Sequence, residues 1–449
     1  MIRKLLALLL VLMTTISFTA CGGNSNNNQA LGKNAQTTLK IWYWGEQEAP
    51  GMKSFVDKAT AAYMTKNPNI KIDAVLQESD TLYSAFRSAA KAKQGPDIQY
   101  FWGGTQALED VWMGNVAPLS DYWSKEDIDN LPQAQRSETY WDGKQWCMPF
   151  YQYGSVWGYN KKLFAKAGLD ANKPPRTWEE FMNTCEALKK AGITPIGMGL
   201  KDGYFGGWII GLMGQQNMNT KQDLVDLIKG SNNKSYTNPE NYEWVAKLKE
   251  MKDKEYFNSD IMSLDLYQGQ QLFDSGDAAM TIDAEPYLAQ LERKQGTDTI
   301  GVMTTPVFGK GKMANSVGVP SQVLAITSFS KNKEEAAKFL KFLHTEDMMK
   351  LMYKEAGAVT PDKRFKDEWL DTEVDKKVIA WSKENPEFWY QYFYPFGFES
   401  SGVNPIVQEL FAKDLAPEQI AKEIQNALEK WKSQNPEQLA AFEKWKVLE

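Results

Sequence analysis

Between Leu39 and Gly104 the hydrophobic pattern swings back and forth between a two-residue and a 3.6-residue period, and few folds tolerate that. Leu39-Lys40-Ile41-Trp42-Tyr43-Trp44-Gly45 alternates into a turn and predicts a first strand. Phe55 to Lys66 has helical spacing and stops at Asn67-Pro68. Ile70 to Leu76 alternates as a second strand, Thr81 to Lys93 is an Ala-rich helix, and Ile98 to Trp102 is a third strand ending in Gly103-Gly104. Strand–helix alternation of this kind implies an α/β fold with a parallel sheet and helices on its faces. Ligands of open α/β sheets bind beyond the carboxyl ends of the strands. Those ends carry Trp44-Gly45-Glu46-Gln47 and Trp102-Gly103-Gly104.

Further along, Thr177 with Glu180 three residues later forms a capping box for a helix from Trp178 to Lys190. Phe273 to Met280 and Val302 to Pro306 bracket another strand region, and Lys333 to Leu343 is an amphipathic helix. The C-terminal third reads as mostly helical, interrupted by an aromatic cluster from Phe388 to Phe398. A chain of 449 residues suggests two or more lobes.

The N-terminus sets the address. Arg3 and Lys4 precede the apolar run Leu5 to Met13, and a small-residue stretch ends in Phe18-Thr19-Ala20-Cys21. This is the anatomy of a secretory signal over residues 1–20. A Cys directly after the cleavage site resembles a bacterial lipobox, with Phe18 in place of the usual aliphatic residue, so Cys21 is expected to carry lipid. Residues 21–37, rich in Asn, Gly and Ser, cannot bury enough apolar surface to order themselves and predict a flexible tether. The expected location is extracytoplasmic, anchored to the cell membrane, on a bacterial and Gram-positive surface.

A net charge of −6 argues against nucleic acid, which demands a basic face. A single His, His344, leaves the chain short of the usual general base and metal ligand, and its helical context predicts a surface or interlobe position. No metal or cofactor is implied. Cys147 and Cys185 could be a disulfide or two buried thiols. Against this, 16 Trp and 12% aromatics offer many flat apolar faces. A pyranose ring has one apolar C–H face and a rim of hydroxyls, so Trp and Tyr can cover the face while Asp, Glu, Asn and Gln bond the rim.

The sequence also resembles a known family. The landmarks run in order: Ile41-Trp42-Tyr43-Trp44, Gly95-Pro96-Asp97-Ile98, Val116-Ala117-Pro118-Leu119, Trp141-Asp142-Gly143-Lys144-Gln145-Trp146, Gly158-Tyr159-Asn160-Lys161-Lys162-Leu163-Phe164, Pro175-Arg176-Thr177-Trp178-Glu179-Glu180-Phe181, Phe273-Asp274-Ser275-Gly276-Asp277-Ala278-Ala279-Met280 and Glu335-Ala336-Ala337-Lys338-Phe339-Leu340. Together they resemble the extracellular solute-binding proteins of ABC sugar importers, family 1, related to maltodextrin-binding proteins. In one departure, Asp283-Ala284-Glu285-Pro286-Tyr287 stands where the family often has Gly-x-Trp. The resemblance implies a two-lobed periplasmic-binding-protein-like fold of type II. Its lobes would be discontinuous, 38–150 with 316–355 and 151–315 with 356–449. Three crossings would join them near Tyr151–Ser155, Ser316–Val319 and Ala356–Pro361. It implies a monomer that hands a sugar to ABC permease subunits and is not an enzyme.

Each candidate ligand residue has a plainer alternative. Trp44 offers a stacking face and Glu46 an acceptor, although alternation places Trp42 and Trp44 on one face and packing could claim both. Trp102 ends its strand beside two glycines. Asp80 and Tyr83 open a helix, where Asp80 could be only an N-cap. Gln152 and Tyr153 fall at the first crossing. Phe205 and Trp208 follow Tyr204 in a Gly-rich stretch, with Trp208 alternatively a hydrophobic anchor. Asp283 and Glu285 could accept sugar hydroxyls beside Tyr287, serve as the acid pair of a glycoside hydrolase, or face water. Of the cluster Trp389, Tyr390, Tyr392 and Tyr394, one or two members, with Trp389 and Tyr394 favoured, are expected to meet ligand and the rest to be core. The ligand expectation is a β-linked plant oligosaccharide (xylo-, cello- or manno-), with maltodextrin next. The alternatives are a secreted polysaccharide-acting enzyme and a binder of a non-sugar solute such as a polyamine, which would suit acids beside aromatics.

Overall fold

The computed structural model describes residues 36–79, 81–385 and 389–446, apart from the side chains of Tyr204 and Phe205. The first strands, β1 (Thr37–Tyr43), β2 (Ile70–Leu76) and β3 (Ile98–Trp102), follow the alternation read above, and the two-residue β4 (Val116–Ala117) comes after them. A short hairpin of β5 (Tyr140–Trp141) and β6 (Lys144–Gln145) precedes β7 (Met148–Gln152) and β8 (Ser155–Asn160). Then come β9 (Thr194–Ile196), β10 (Ala278–Ala284), β11 (Ile300–Met303) and β12 (Ser321–Thr327).

Two main sheets result. The first has the order β2-β1-β3-β12-β4, with β7 also pairing β12. The second has the order β11-β8-β10-β9. The parallel pairing expected at the start of the chain is present, β1 lying parallel to both β2 and β3. The sheet as a whole is mixed, however, because β12 enters antiparallel beside β3. The long return that brings β12 back after the second sheet delivers it in the opposite direction, which local periodicity cannot encode. Every residue of β10 and of β12 is buried, so both faces of these strands are covered. The helix Trp178–Lys190 carries the reciprocal capping box: Glu180 N–H donates to Thr177 Oγ1 at 3.3 Å and Thr177 N–H to Glu180 Oε2 at 3.1 Å. It seats Phe181 against Trp157, ring centroids 5.1 Å apart.

Three segments lie side by side where the chain passes between the sheets. Gln152 N–H donates to Val359 O at 2.9 Å and Ser155 N–H to Gly318 O at 2.7 Å. The first joins the passage after β7 to the third passage, and the second joins the start of β8 to the second. The C-terminal part touches both sides: the helix Pro417–Gln434 packs on the helix Pro239–Asp253, while Pro436–Lys444 packs on Thr105–Trp112.

His344 is not on the surface. It is buried, with Nδ1 3.0 Å from Asp362 Oδ2 and Nε2 2.8 Å from Pro149 O. Ending the helix Lys333–Leu343 beside Trp123 turns the ring inward. Cys147 and Cys185 are two free, buried thiols. Among the described residues no helix is long and apolar enough to cross a membrane. The signal, Cys21 and the tether as far as residue 35 lie outside the described residues.

Candidate ligand-binding cleft

A cavity of about 530 Å³ lies where the two sheets' carboxyl-end loops and the C-terminal segment meet. That volume is ordinary for a small-molecule site. Its aromatic lining comes from six stretches of chain: Trp44, Trp102, Tyr153, Trp208, Tyr267, and Trp389, Tyr392 and Phe396 together.

Trp44 directly follows β1 and Trp102 is the last residue of β3, as the strand-end rule requires. Trp44 meets Trp102 edge-on at 5.6 Å between centroids. Trp102 stacks on Tyr83 at 5.4 Å with the planes 14° apart, and Tyr83 stacks in turn on Phe396 at 5.0 Å and 16°. Arg87 lies over both Tyr83 and Phe396, and its guanidinium is held 3.0 Å from Glu109 and from Asp110. The Trp102 N–H donates to Tyr83 Oη at 3.2 Å. Trp102 is thus a partly exposed plate whose rear support is fixed by ion pairs.

Gly104 brings the C-terminal segment up to this wall. Its φ is +64°, and a Cβ there would lie 2.1 Å from Tyr392 O. Next door, Thr105 Oγ1 donates to Tyr394 O at 2.6 Å, with Tyr392 O 2.9 Å away. On the opposite wall Trp208 and Trp389 meet at 6.3 Å and 87°. Trp389 fits against bare backbone: Cβ atoms on Gly211 and Gly318 would lie 2.7 Å and 2.9 Å from its ring.

The polar lining is largely pre-bonded. Glu48 accepts Tyr153 Oη at 2.8 Å and Tyr151 Oη at 3.3 Å, and burial pushes its carboxyl up to about 8. Glu399 accepts Gln391 Nε2 and Gln106 Nε2, each at 2.5 Å, and burial pushes it up to about 7. Gln322 links the sides behind, accepting Tyr100 Oη at 2.6 Å and donating to Tyr392 Oη at 2.8 Å. No lysine or arginine is among the described lining residues. Also among the described residues, no cluster of three or more His, Cys, Asp or Glu is placed to hold a metal.

A family model for bacterial extracellular solute-binding proteins matches residues 45–350. The chain belongs to this family. As a solute-binding protein it is 28% identical over 332 residues to the sn-glycerol-3-phosphate-binding periplasmic protein UgpB of Shigella flexneri, covering 70% of this chain and 72% of that one. It shares its fold with a structure from work on xylan utilization by Caldanaerobius polysaccharolyticus, with a TM-score of 0.77 and 24% identity over 87% of this chain and 99% of that one. It likewise shares its fold with a chitin oligosaccharide binding protein, with a TM-score of 0.77 and 22% identity over 88% of this chain and 98% of that one. The two sheets described above are accordingly the cores of two lobes, and the cavity is the cleft between them.

Of the residues singled out in the sequence, this solute-binding protein brings Trp44, Trp102, Tyr153, Trp208 and Trp389 into the lining of one cavity. Others sit elsewhere for definite reasons. Glu46 accepts the N–H groups of Gly51 and Lys53 at 3.0 and 2.6 Å, and so caps the helix Met52–Lys66. Tyr83 supports Trp102 from behind. Gln152 is tied into the crossing strands. Asp283 is buried at the end of β10, accepting its neighbour Ala284 N–H at 2.7 Å. Glu285 is buried beneath Gly154, whose N–H it accepts at 2.8 Å. Tyr287 bonds Asp274 and packs against the apolar cluster that includes Val156 and Leu288. Tyr394 is buried against Tyr390 and Phe398. Asp80 and the Phe205 side chain lie outside the described residues.

Sequence reasoning missed Glu48, Gln106, Asp202 and Glu399 on the wall. Gln106 had a usable signal, since Gly103-Gly104 opens a helix toward the site. Glu399 had none, because its place depends on the C-terminal segment folding back onto the first lobe.

Proposed function

We propose that this protein captures a neutral oligosaccharide between its lobes and delivers it unchanged to the permease subunits of an ABC importer. The observation that carries the reading is the set of aromatic plates around one cleft that has amide and carboxyl hydrogen-bonding groups and no cation among its described lining residues. Flat aromatic faces suit the C–H faces of pyranose rings, and bonded carboxyls and amides suit their hydroxyls. A phosphate ligand, of the kind named for UgpB, would call for Arg or Lys at the site. A diamine would find carboxyls at Glu48, Asp202 and Glu399, but burial holds Glu48 and Glu399 toward their neutral forms, which weakens attraction for a cation. The favoured sugars are β-linked plant oligosaccharides, xylo-, cello- or manno-, with maltodextrins next.

In this reading residues 38–150 with 316–355, and 151–315 with 356–449, form the two lobes. Ligand touching both lobes stabilises the closed arrangement. A lipid on Cys21 and the tether after it hold the protein, as a monomer, at the cell surface. No chemistry is performed on the ligand. Thermal denaturation against a panel of xylo-, cello-, manno- and malto-oligosaccharides, glycerol 3-phosphate and diamines tests this. A ligand at about 100 times its Kd stabilises by about 2.7 kcal/mol, so the bound class stands out in Tm. A rise with glycerol 3-phosphate or a diamine and none with any sugar refutes the reading.

A further inference from the structure

Glu285 and Asp375, on different helices, meet under the crossing segments. Glu285 starts the helix Glu285–Gln295 and Asp375 sits in the first turn of Glu373–Glu384. Both are buried, with exposures of 1% and 0%. Each satisfies one oxygen. Glu285 Oε2 accepts Gly154 N–H at 2.8 Å, and Asp375 Oδ2 accepts Tyr353 Oη at 2.6 Å and Arg293 Nη2 at 3.2 Å. The remaining oxygens, Glu285 Oε1 and Asp375 Oδ1, meet no donor. The two side chains are nonetheless within hydrogen-bonding reach of each other. Two acceptors can approach in a dry interior only if a proton lies between them.

We propose that Glu285 and Asp375 share one proton and are positioning residues of the pivot, tying the first crossing at Gly154 and the first-lobe residue Tyr353 to the second lobe's helices. Glu285 is the acid and Asp375 the acceptor. The groups facing the pair are few. Arg293 divides its guanidinium between Asp375 and Asp371, reaching the latter at 2.6 Å. Tyr353 Oη also lies 2.9 Å from Asp371. Glu292, on the same helix as Glu285, is turned to the N–H groups of Glu373 and Val374 at 3.2 and 2.8 Å. No second cation is left for Glu285 among these groups. Burial and then the charge of Asp375 hold its carboxyl well above the ordinary range.

A carboxyl raised on folding stabilises the fold fully below its unfolded value, near ~4.3, and loses that contribution as pH rises toward its folded value. Deprotonation places two like charges side by side at the pivot, so stability and closure over ligand both weaken at alkaline pH.

Glu285→Gln tests this, because its amide carbonyl can accept Gly154 N–H while its NH₂ donates to Asp375 at every pH. The wild-type Tm is expected to fall relative to the variant's as pH rises above the unfolded carboxyl's value of about 4.3. Asp375→Asn should show the same flattening. The wild-type-minus-variant infrared spectrum at neutral pH should contain one protonated-carboxyl band. Parallel Tm slopes, no such band, or a Glu285→Gln protein that does not fold would each overturn the shared proton, since the amide reproduces every bond the acid makes.

Discussion

The two aromatic walls of the cleft use the same residue type in opposite ways. Trp102 is partly exposed and backed by Tyr83, Phe396 and an ion-paired Arg87, so its support is independent of any ligand. Trp389 is 2% exposed and sits against the bare backbone of Gly211 and Gly318 as much as it faces the cavity. One tryptophan is presented by the fold, while the other is also part of it. Low exposure therefore does not separate core from site in this cleft: Trp44, at 4%, lines the cavity as surely as Trp102 does.

The contrast breaks most visibly at Trp389. Trp389→Ala should destabilise the protein by about 3–5 kcal/mol in denaturant melts, because the cavity left between glycines cannot collapse. If stability is unchanged, Trp389 belongs with Trp102. At Trp102 the cost should appear in binding. Trp102→Ala is expected to lose about 1–3 kcal/mol of sugar affinity by titration, by analogy with aromatic–base stacking, with Tm nearly intact. Gly211→Ala sharpens the packing half of the comparison: a Cβ pressed on the Trp389 ring should cost about 1–3 kcal/mol of stability. The smallest effect belongs to Tyr83→Phe, which removes the acceptor for Trp102 N–H and should cost about 0.5–1.5 kcal/mol in stability.

Much of the first lobe was legible in the sequence because its information is local. The strands Ile70–Leu76 and Ile98–Trp102 and the helix Lys333–Leu343 have the bounds their periodicity indicates, as does the capped helix Trp178–Lys190 of the other lobe. The strand-end rule led from there to Trp44 and Trp102. What could not be read was set by chain returns. The antiparallel entry of β12 and the docking of Trp389–Glu399 onto Thr105 and Gln106 both depend on contacts hundreds of residues apart. The pair at Asp283 and Glu285 misled for a related reason. Acids near an expected cleft look like acceptors for a ligand, yet β10, buried on both faces, carries Asp283 into the interior, and Glu285 is buried at the start of the helix that follows.

The central claim is that neutral rings are gripped by aromatic faces. Calorimetric titration of the wild-type protein with the oligosaccharide panel, at low and high salt and at several temperatures, tests it most directly. The account predicts saturable binding of a neutral oligosaccharide with a negative heat-capacity change from apolar burial, and an affinity that does not move with salt. Binding confined to an anion or a diamine, weakening steeply as salt rises, would contradict it.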